Sequence, residues 1–365
     1  MLNFLLNGKT LKSILRVTIG LGLAAYLIHF TVKSTGGDVV GEILLARKSP
    51  LVFAFLLYGL ILGVTVWRWN LLLKVQGVRL GAWDLIKLTM IGVFFNIALP
   101  GAVSGDFVKM GLLASRTTGR RAEAMLTVLL DRVLGLFGLF VLASVMVVLY
   151  LPFLLSLGSE NRLLQIASLI VGIGSLGGVL GFFLLEFRQS IVRRTWIARA
   201  IELVKRKLPP AVVSVGERLT AALDLYRDNR RVLFAALGLS LLVHSGLAID
   251  LYCIGAAVGE QVLRLGDYYL IAQVSNAVAA VPVTPGGFGI RDTITAKFFS
   301  ALQAPLAKSG VVPVLLTLII TLWGLVGSVV FILAKIRGDT TSPILSAALR
   351  HQDTPPVTLK PRRSD

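Results

Sequence analysis

The chain has 365 residues, of which 55% are hydrophobic and only 15% are charged, and its mean hydropathy is +0.81. Soluble domains carry about 25% charged residues, so this composition excludes an ordinary soluble protein, and apolar runs without alternation exclude a β-barrel. The net charge of +18 would suit a nucleic-acid partner in a soluble protein. Here we expect no nucleic acid, but basic cytoplasmic loops that face anionic lipid headgroups.

Six apolar runs are long enough to cross a bilayer, which takes about 20 residues in a helix. In chain order they cover approximately 14–33, 51–73, 123–151, 163–185, 232–257 and 311–334. The first run follows Lys9, Lys12 and Arg16 and has no clear cleavage site after it. We therefore interpret it as a retained helix rather than a signal peptide. The predicted fold class is an all-α polytopic membrane protein.

Two shorter apolar runs, about 85–99 and 268–284, end at Pro/Gly clusters. The first break is Pro100-Gly101, and the second lies in "VPVTPGGFGIRD", after which 292–303 leads back. A full crossing and return would need about 40 apolar residues, more than either segment offers. Each segment therefore predicts a re-entrant hairpin. Non-helical backbone is tolerated at membrane depth only beside protein or a water-filled cavity, so the breaks indicate a polar cavity.

Each half of the chain then consists of helix, helix, hairpin and helix, and three full crossings per half make the second half inverted. We expect one transmembrane domain over 1–340, with repeats at about 10–151 and 163–340. Eleven Lys or Arg against five acids make 186–231 a basic cytoplasmic connector. The polar tail 341–365 is predicted to be disordered, and both termini are expected in the cytoplasm of a cell-membrane protein.

The stretch "NIALPGAVSGDFVKMG" places Asp106 and Lys109 directly after the first break. Asp106 has two interpretations. It is a helix-terminal acid that, with Ser104, stabilises a helix start, or it belongs to a site where backbone N–H groups and Lys109 hold an anionic headgroup. Lys109 is also one turn from Asp106 and placed to pair with it. Asn96 precedes this break as Asn276 precedes the second.

Asp131-Arg132 lies deep in the run 123–151. Charges at this depth are costly and usually face the interior of a helix bundle. Two interpretations stay open. The residues form an internal salt bridge that locks helices together, or they line a site in which the Arg132 guanidinium contacts phosphate oxygens.

Other polar or aromatic residues in apolar runs have ordinary structural explanations. His244 and Asp250 are six residues apart and on different helix faces, so we interpret His244 as a satisfied interior histidine rather than part of a proton relay. Trp67 and Trp69 are predicted to form an interfacial belt, next to Arg68 in a cytoplasmic basic cluster.

The stretch "PVTPGGFGIRD" is the most specific in the chain. Pro285 rules out a regular helix there, and the glycines allow positive φ or close backbone approach. Arg291-Asp292 then opens a helix. The glycines are Gly286, Gly287 and Gly289.

Together with "LLDRVLGLFGLF", these two stretches resemble the lysylphosphatidylglycerol synthase transmembrane family, flippase-like membrane proteins that include the membrane half of the multiple peptide resistance factors. The resemblance covers most of 10–340 and implies the two-hairpin inverted repeat and a role in handling polar lipids across the bilayer. Asp131 and Asp292 stand where the family usually carries Glu. The family pattern is matched at Gly105-Asp106, Arg132, Pro285-Gly286-Gly287 and Gly289.

The lysyl-lipid-forming members of that family carry a large soluble catalytic domain after the membrane part. This chain ends about thirty residues past its last predicted helix, so we expect no aminoacyl transfer, no catalytic residues, no metal and no cofactor.

The leading hypothesis is a translocator of a polar or anionic membrane lipid in the inner or plasma membrane; phospholipids and glycolipid carriers both fit. One alternative is a scaffold that recruits a synthase through 186–231. The other is a headgroup or glycosyl transferase that uses Asp38, Asp106 or Asp292. The predicted lipid-binding residues are Asn96, Gly105, Asp106, Lys109, Asp131, Arg132, Pro285, Gly286, Gly287, Gly289, Arg291 and Asp292.

Overall fold

A computed structural model describes residues 39–99, 104–117, 120–186, 226, 229–281 and 284–336, and the regular elements among them are helices. We number the α-helices α1 (Val39–Leu45), α2 (Lys48–Val75), α3 (Ala82–Ala98), α4 (Ser104–Arg116), α5 (Arg121–Leu149), α6 (Leu151–Ser156), α7 (Arg162–Glu186), α8 (Arg230–Ala257), α9 (Leu265–Ala279), α10 (Ile290–Ala301) and α11 (Leu306–Ile336). The predictions for 14–33, Pro100-Gly101, Asp38, most of 186–231 and the tail lie outside the described residues.

Five helices in the described part of the chain are long and apolar enough to cross a membrane. They confirm the predicted all-helical, multi-pass class, and they coincide with the second to sixth predicted spans. The spans are Lys48–Val75, Arg121–Leu149, Ser159–Gly181, Arg230–Ala257 and Lys308–Ala334.

Helix α7 carries an outward apolar face of the kind that a lipid bilayer covers. Ile170, Ile173, Leu176 and Leu180 recur at helical spacing, and each is more than half exposed. A contiguous apolar surface on a soluble protein marks a partner site, whereas on a spanning helix it is the expected contact with hydrocarbon.

Apart from the very short α1 and α6, four helices in the described part of the chain are shorter than the hydrocarbon core of a membrane is thick. Helices α3, α4, α9 and α10 have 17, 13, 15 and 12 residues, which at about 1.5 Å per residue gives roughly 18 to 26 Å against a hydrocarbon core of about 30 Å. They form two packed pairs, α3 with α4 and α9 with α10.

The long helices hold these two pairs in place. Helices α2 and α8 pack extensively against each other. Helix α3 packs on α11 and α9 packs on α5, while α4 packs on α5 and α10 packs on α11. The largest buried apolar cluster includes Tyr268, Phe298 and Phe299 and fixes the second pair against α8 and α11.

Candidate functional site

Asp106 and Arg132 form an ion pair between the first turn of α4 and the middle of α5. The Nε and Nη2 atoms of Arg132 both approach Oδ2 of Asp106, and the Nε distance is 2.6 Å. The Arg132 side chain remains 37% exposed. The guanidinium is therefore oriented by protein while part of its surface stays accessible to a ligand.

A second ion pair, between α2 and α5, lies close by. The Nε atom of Arg68 donates to Oδ1 of Asp131 at 2.8 Å, and its Nη1 atom donates to Ser240 Oγ at 2.9 Å. Arg68 is buried. Arg68 was predicted as one of several cytoplasmic basic residues, and the structure adds that it is an internal residue with partners from α5 and α8. Of the two interpretations of Asp131, the internal salt bridge is present.

Lys109 does not pair with Asp106, in contrast to one interpretation of the sequence. Its ammonium lies 3.5 Å from the centroid of the Trp69 ring. Trp69 is fully buried and its indole N–H donates to Thr127 Oγ1 at 3.1 Å. The prediction that Trp69 belongs to an interfacial belt is thus wrong, whereas Trp67 is exposed as that prediction requires.

We call these five residues the first charge cluster: Arg68, Asp106, Lys109, Asp131 and Arg132. The other four members are the charges that surround the buried Lys109 ammonium. Three cations face two carboxylates, and the carboxylates are held by the two arginines. The cluster therefore has one excess positive charge, at Lys109, for which no carboxylate in the described part of the chain lies within salt-bridge distance.

Close packing of α3 on α4 positions Asp106. The Asn96 side-chain oxygen accepts the Gly105 N–H at 2.8 Å, which satisfies one donor at the start of α4. A Cβ atom on Gly105 would lie 2.7 Å from the carbonyl carbon of Gly92 and 2.9 Å from Cγ of Asn96. Glycine is therefore required where α4 begins.

The glycine-rich stretch forms a tight turn before α10. Pro285–Gly287 is a short 3-10 turn, and Gly286, Gly287 and Gly289 have φ of 58°, 72° and 77°. The predicted positive φ values are confirmed. The Asp292 carboxylate accepts the Gly289 N–H at 2.9 Å and so caps α10.

Arg291 and Asp292 are buried together against α11. Asp292 Oδ1 accepts the Thr317 hydroxyl at 2.8 Å, and Arg291 Nη2 donates to Thr317 Oγ1 at 2.6 Å and to Asp292 Oδ1 at 3.3 Å. The Arg291 Nε atom has no hydrogen-bond partner in the described part of the chain. Arg291 is not one of the charges around Lys109, so the predicted site residues form two groups.

Arg291 also lines a cavity of about 80 Å³ between α2, α8, α9, α10 and α11. Polar side chains from three of these helices meet there. They are Tyr58, Ser275, Asn276 and Thr295, and Thr295 donates to Ser275 Oγ at 3.2 Å. Leu247, Leu251, Leu316 and Ile320 supply much of the apolar wall.

His244 and Asp250, the two polar residues six positions apart in α8, differ in their contacts. His244 Nε2 donates to the Gly135 carbonyl at 3.0 Å, as an interior histidine would. Asp250 is fully buried, and neither of its carboxylate oxygens has a hydrogen-bond partner in the described part of the chain.

Comparison with known proteins gives matches along most of the chain. A family model for the lysylphosphatidylglycerol synthase TM region matches residues 15–338. The UPF0104 membrane protein PH1989 of Pyrococcus horikoshii is 25% identical over 313 residues, 80% of this chain and 88% of that protein. The UPF0104 membrane protein MJ1595 of Methanocaldococcus jannaschii is 23% identical over 332 residues, 86% of this chain and 91% of that protein. The family match spans both groups of site residues.

Proposed function

The chain belongs to the lysylphosphatidylglycerol synthase transmembrane family, and from this membership we propose that it binds an anionic lipid headgroup at the first charge cluster and moves that lipid between the leaflets of the cell membrane. The acyl chains stay in the bilayer while the headgroup crosses through the polar interior.

The excess charge of the first charge cluster is the observation that carries this proposal. Lys109 is buried and has no carboxylate partner among the described residues, and it lies beside the partly exposed Arg132. Burying an unpaired cation is expensive, and a ligand phosphate would balance it. Guanidinium and ammonium groups are the usual protein partners of phosphate oxygens.

Two re-entrant hairpins, α3–α4 and α9–α10, would open the interior to headgroups. All four helices are too short to cross, and each pair is packed on itself. Contact between the end of α3 and the Pro285–Gly287 turn supports hairpin tips that meet inside the membrane.

An inverted repeat is supported by matching positions in the two halves. Asp106 and Asp292 are each the third residue of their short helix, and each contacts the twelfth residue of the next long helix, Arg132 on α5 and Thr317 on α11. The packing of α3 on α11 has its counterpart in the packing of α9 on α5. In this topology both chain termini are cytoplasmic.

Lipid mass spectrometry on the gently purified protein tests the proposal. The comparison includes Arg132→Ala and, as a matched control, Arg162→Ala, which removes an exposed arginine at the start of α7. We expect one anionic lipid class to be enriched over bulk membrane in the wild type and the control and to be lost in Arg132→Ala. The enriched lipid is then tested for flipping in proteoliposomes.

The proposed site would be contradicted if no lipid class were enriched, or if the enrichment were the same in Arg132→Ala as in the wild type. The charged pairs would then serve the helix packing alone. A lipid bound as expected but chemically altered by the purified protein would instead favour a headgroup transferase. Binding without movement, combined with co-purification of a synthase that depends on 186–231, would favour a scaffold.

A further inference from the structure

Asp250 is a carboxyl group in a membrane-spanning helix, and the structure describes no hydrogen-bond partner for it. It is fully buried in α8, and both carboxylate oxygens are unpartnered in the described residues. An ionised carboxylate in such a place is strongly disfavoured, so in this conformation the group carries a proton.

The position of Asp250 in its helix matches that of Arg68. Helices α2 and α8 both have 28 residues, and Arg68 and Asp250 are each the twenty-first. Arg68 bonds Ser240, the eleventh residue of α8. The eleventh residue of α2 is Tyr58, and Tyr58 lies within electrostatic reach of Asp250.

The matching partner on the following long helix is not charged. Arg68 pairs with Asp131, the eleventh residue of α5, whereas the eleventh residue of α11 is Leu316. Within the described residues, the second half therefore keeps the buried ionisable position and a hydroxyl-bearing residue beside it, Tyr58 in place of Ser240, but lacks the counter-ion. Where the first half has the permanently charged Arg68–Asp131 pair, the second half has Asp250, a single carboxyl group that can gain or lose a proton.

The cavity described above lies beside this part of α8. Leu247 and Leu251, on either side of Asp250 in α8, line it together with Tyr58 and Arg291. Tyr58 is within electrostatic reach of both Asp250 and Arg291. Tyr58 thus lies between the two groups, and the Arg291 Nε atom has no hydrogen-bond partner in the described part of the chain.

We propose that Asp250 is a proton-binding site, reached through this cavity, whose occupancy controls how firmly Arg291 holds Asp292 at the start of α10. A hydronium ion gives its proton to the carboxylate and leaves as water. When the proton is released, the carboxylate attracts the Arg291 guanidinium away from Thr317 and Asp292 and loosens the α9–α10 pair. The coupling of this step to lipid movement rests on the function proposed above.

The surroundings of Asp250 suit a proton better than a metal ion. The titratable groups near it are Tyr58 on α2 and Cys253 on α8, while α5, α9 and α11 bring no charged side chain to it in the described part of the chain. No cluster of three or more His, Cys, Asp or Glu exists among the described residues. A sodium or divalent ion needs more oxygen ligands than this.

Carbodiimide labelling of the unmodified chain tests the site. Full-length protein in vesicles of phosphatidylglycerol and phosphatidylcholine is treated with a hydrophobic carbodiimide, which adds to a protonated carboxyl and rearranges to an N-acylurea with no atom lost. Peptide mass spectrometry locates the adduct. We expect it on Asp250, with a yield that falls as the pH is raised. Asp84, a partly exposed acid paired with Arg116, should stay unlabelled at neutral pH. Equal labelling of Asp250 at every pH, or none, would overturn the proposal.

One variant and one combination of results separate this site from the proposed function. Asp250→Asn keeps the shape of the side chain; it should remove the adduct and abolish the effect of a pH gradient on lipid movement. Movement that keeps its pH dependence in this variant would overturn the coupling. A protein labelled at Asp250 as expected but without an enriched lipid would contradict the lipid-binding proposal and leave the proton site standing.

Discussion

The carboxylate of Asp106 and the guanidinium of Arg132 join the first turn of α4 to the middle of α5 through two nitrogen atoms that converge on one oxygen. This geometry leaves the second carboxylate oxygen outside the pair. It also fixes the guanidinium plane, so less rotamer entropy is lost when an anion binds. The pair thus supports the local fold and orients a binding group at the same time.

Lys109→Met should weaken lipid retention by about tenfold or more, since a hydrogen bond to a charged group contributes about 1.5–3 kcal/mol and about 1.4 kcal/mol is tenfold. Methionine keeps most of the side-chain volume against Trp69. Quantitative lipid mass spectrometry after detergent washing measures the effect. Lys74→Met, at an exposed position near the end of α2, is the charge-matched control, and equal losses in both variants would mean that only net charge matters.

Arg68→Ala should destabilise the protein by about 3 kcal/mol, because it leaves Asp131, a largely buried charge, without its partner. Thermal unfolding in detergent measures this loss. The double variant Arg68→Met, Asp131→Leu removes both charges and should recover much of the stability. If Arg68→Ala unfolds at the wild-type temperature, the pair does not hold α2 against α5.

Gly105→Ala should lower the stability by roughly 1–3 kcal/mol, since the added methyl group forces α4 away from Gly92. The matched control is Gly63→Ala in α2, where a Cβ meets nothing within 4 Å. Because alanine favours helix by about 0.5–1 kcal/mol over glycine, the control should melt at the wild-type temperature or above it. A Gly105→Ala protein as stable as the control would contradict the tight α3–α4 contact.

The proposed topology predicts opposite accessibility at the ends of α3 and α9. In a Cys253→Ser background, Leu99→Cys should react with a membrane-impermeant thiol reagent added from the cytoplasmic side, and Val281→Cys only from the outer side. Both native side chains are at least a third exposed. Exposed positions 74 and 160 provide the cytoplasmic and outer reference labels. Reaction of both test cysteines from one side would exclude the inverted repeat.

Long helices were accessible to sequence analysis because lipid burial requires a continuous apolar run. The run predicted at 123–151 is found as Arg121–Leu149, and the one at 232–257 as Arg230–Ala257. The short pairs were visible for the opposite reason: proline and glycine interrupt such runs where a spanning helix would continue.

Side-chain partners that are far apart along the chain could not be predicted from the sequence in this way. Arg68 meets Asp131 and Ser240, which are 63 and 172 residues away along the chain, and the nearby basic residues concealed its role. The prediction for Trp69 was based on the frequency of tryptophan at the ends of membrane helices, but the packing of α4 and α5 buries its side chain. Lys109 is spaced one helical turn from Asp106, which permits a pair between them. The Asp106 carboxylate instead pairs with Arg132, which offers it two donors.

Asn96 touches both short-helix pairs. Its side-chain oxygen holds the N–H of Gly105 at the start of α4. Its backbone oxygen lies against Gly286, where a Cβ atom would come within 3.7 Å of it. Because Asn96 contacts both helix pairs, displacement of either pair moves the atoms of Asn96, and the resulting strain is shared between the two halves of the chain. A single spectroscopic label at position 96 would therefore report on both halves at once.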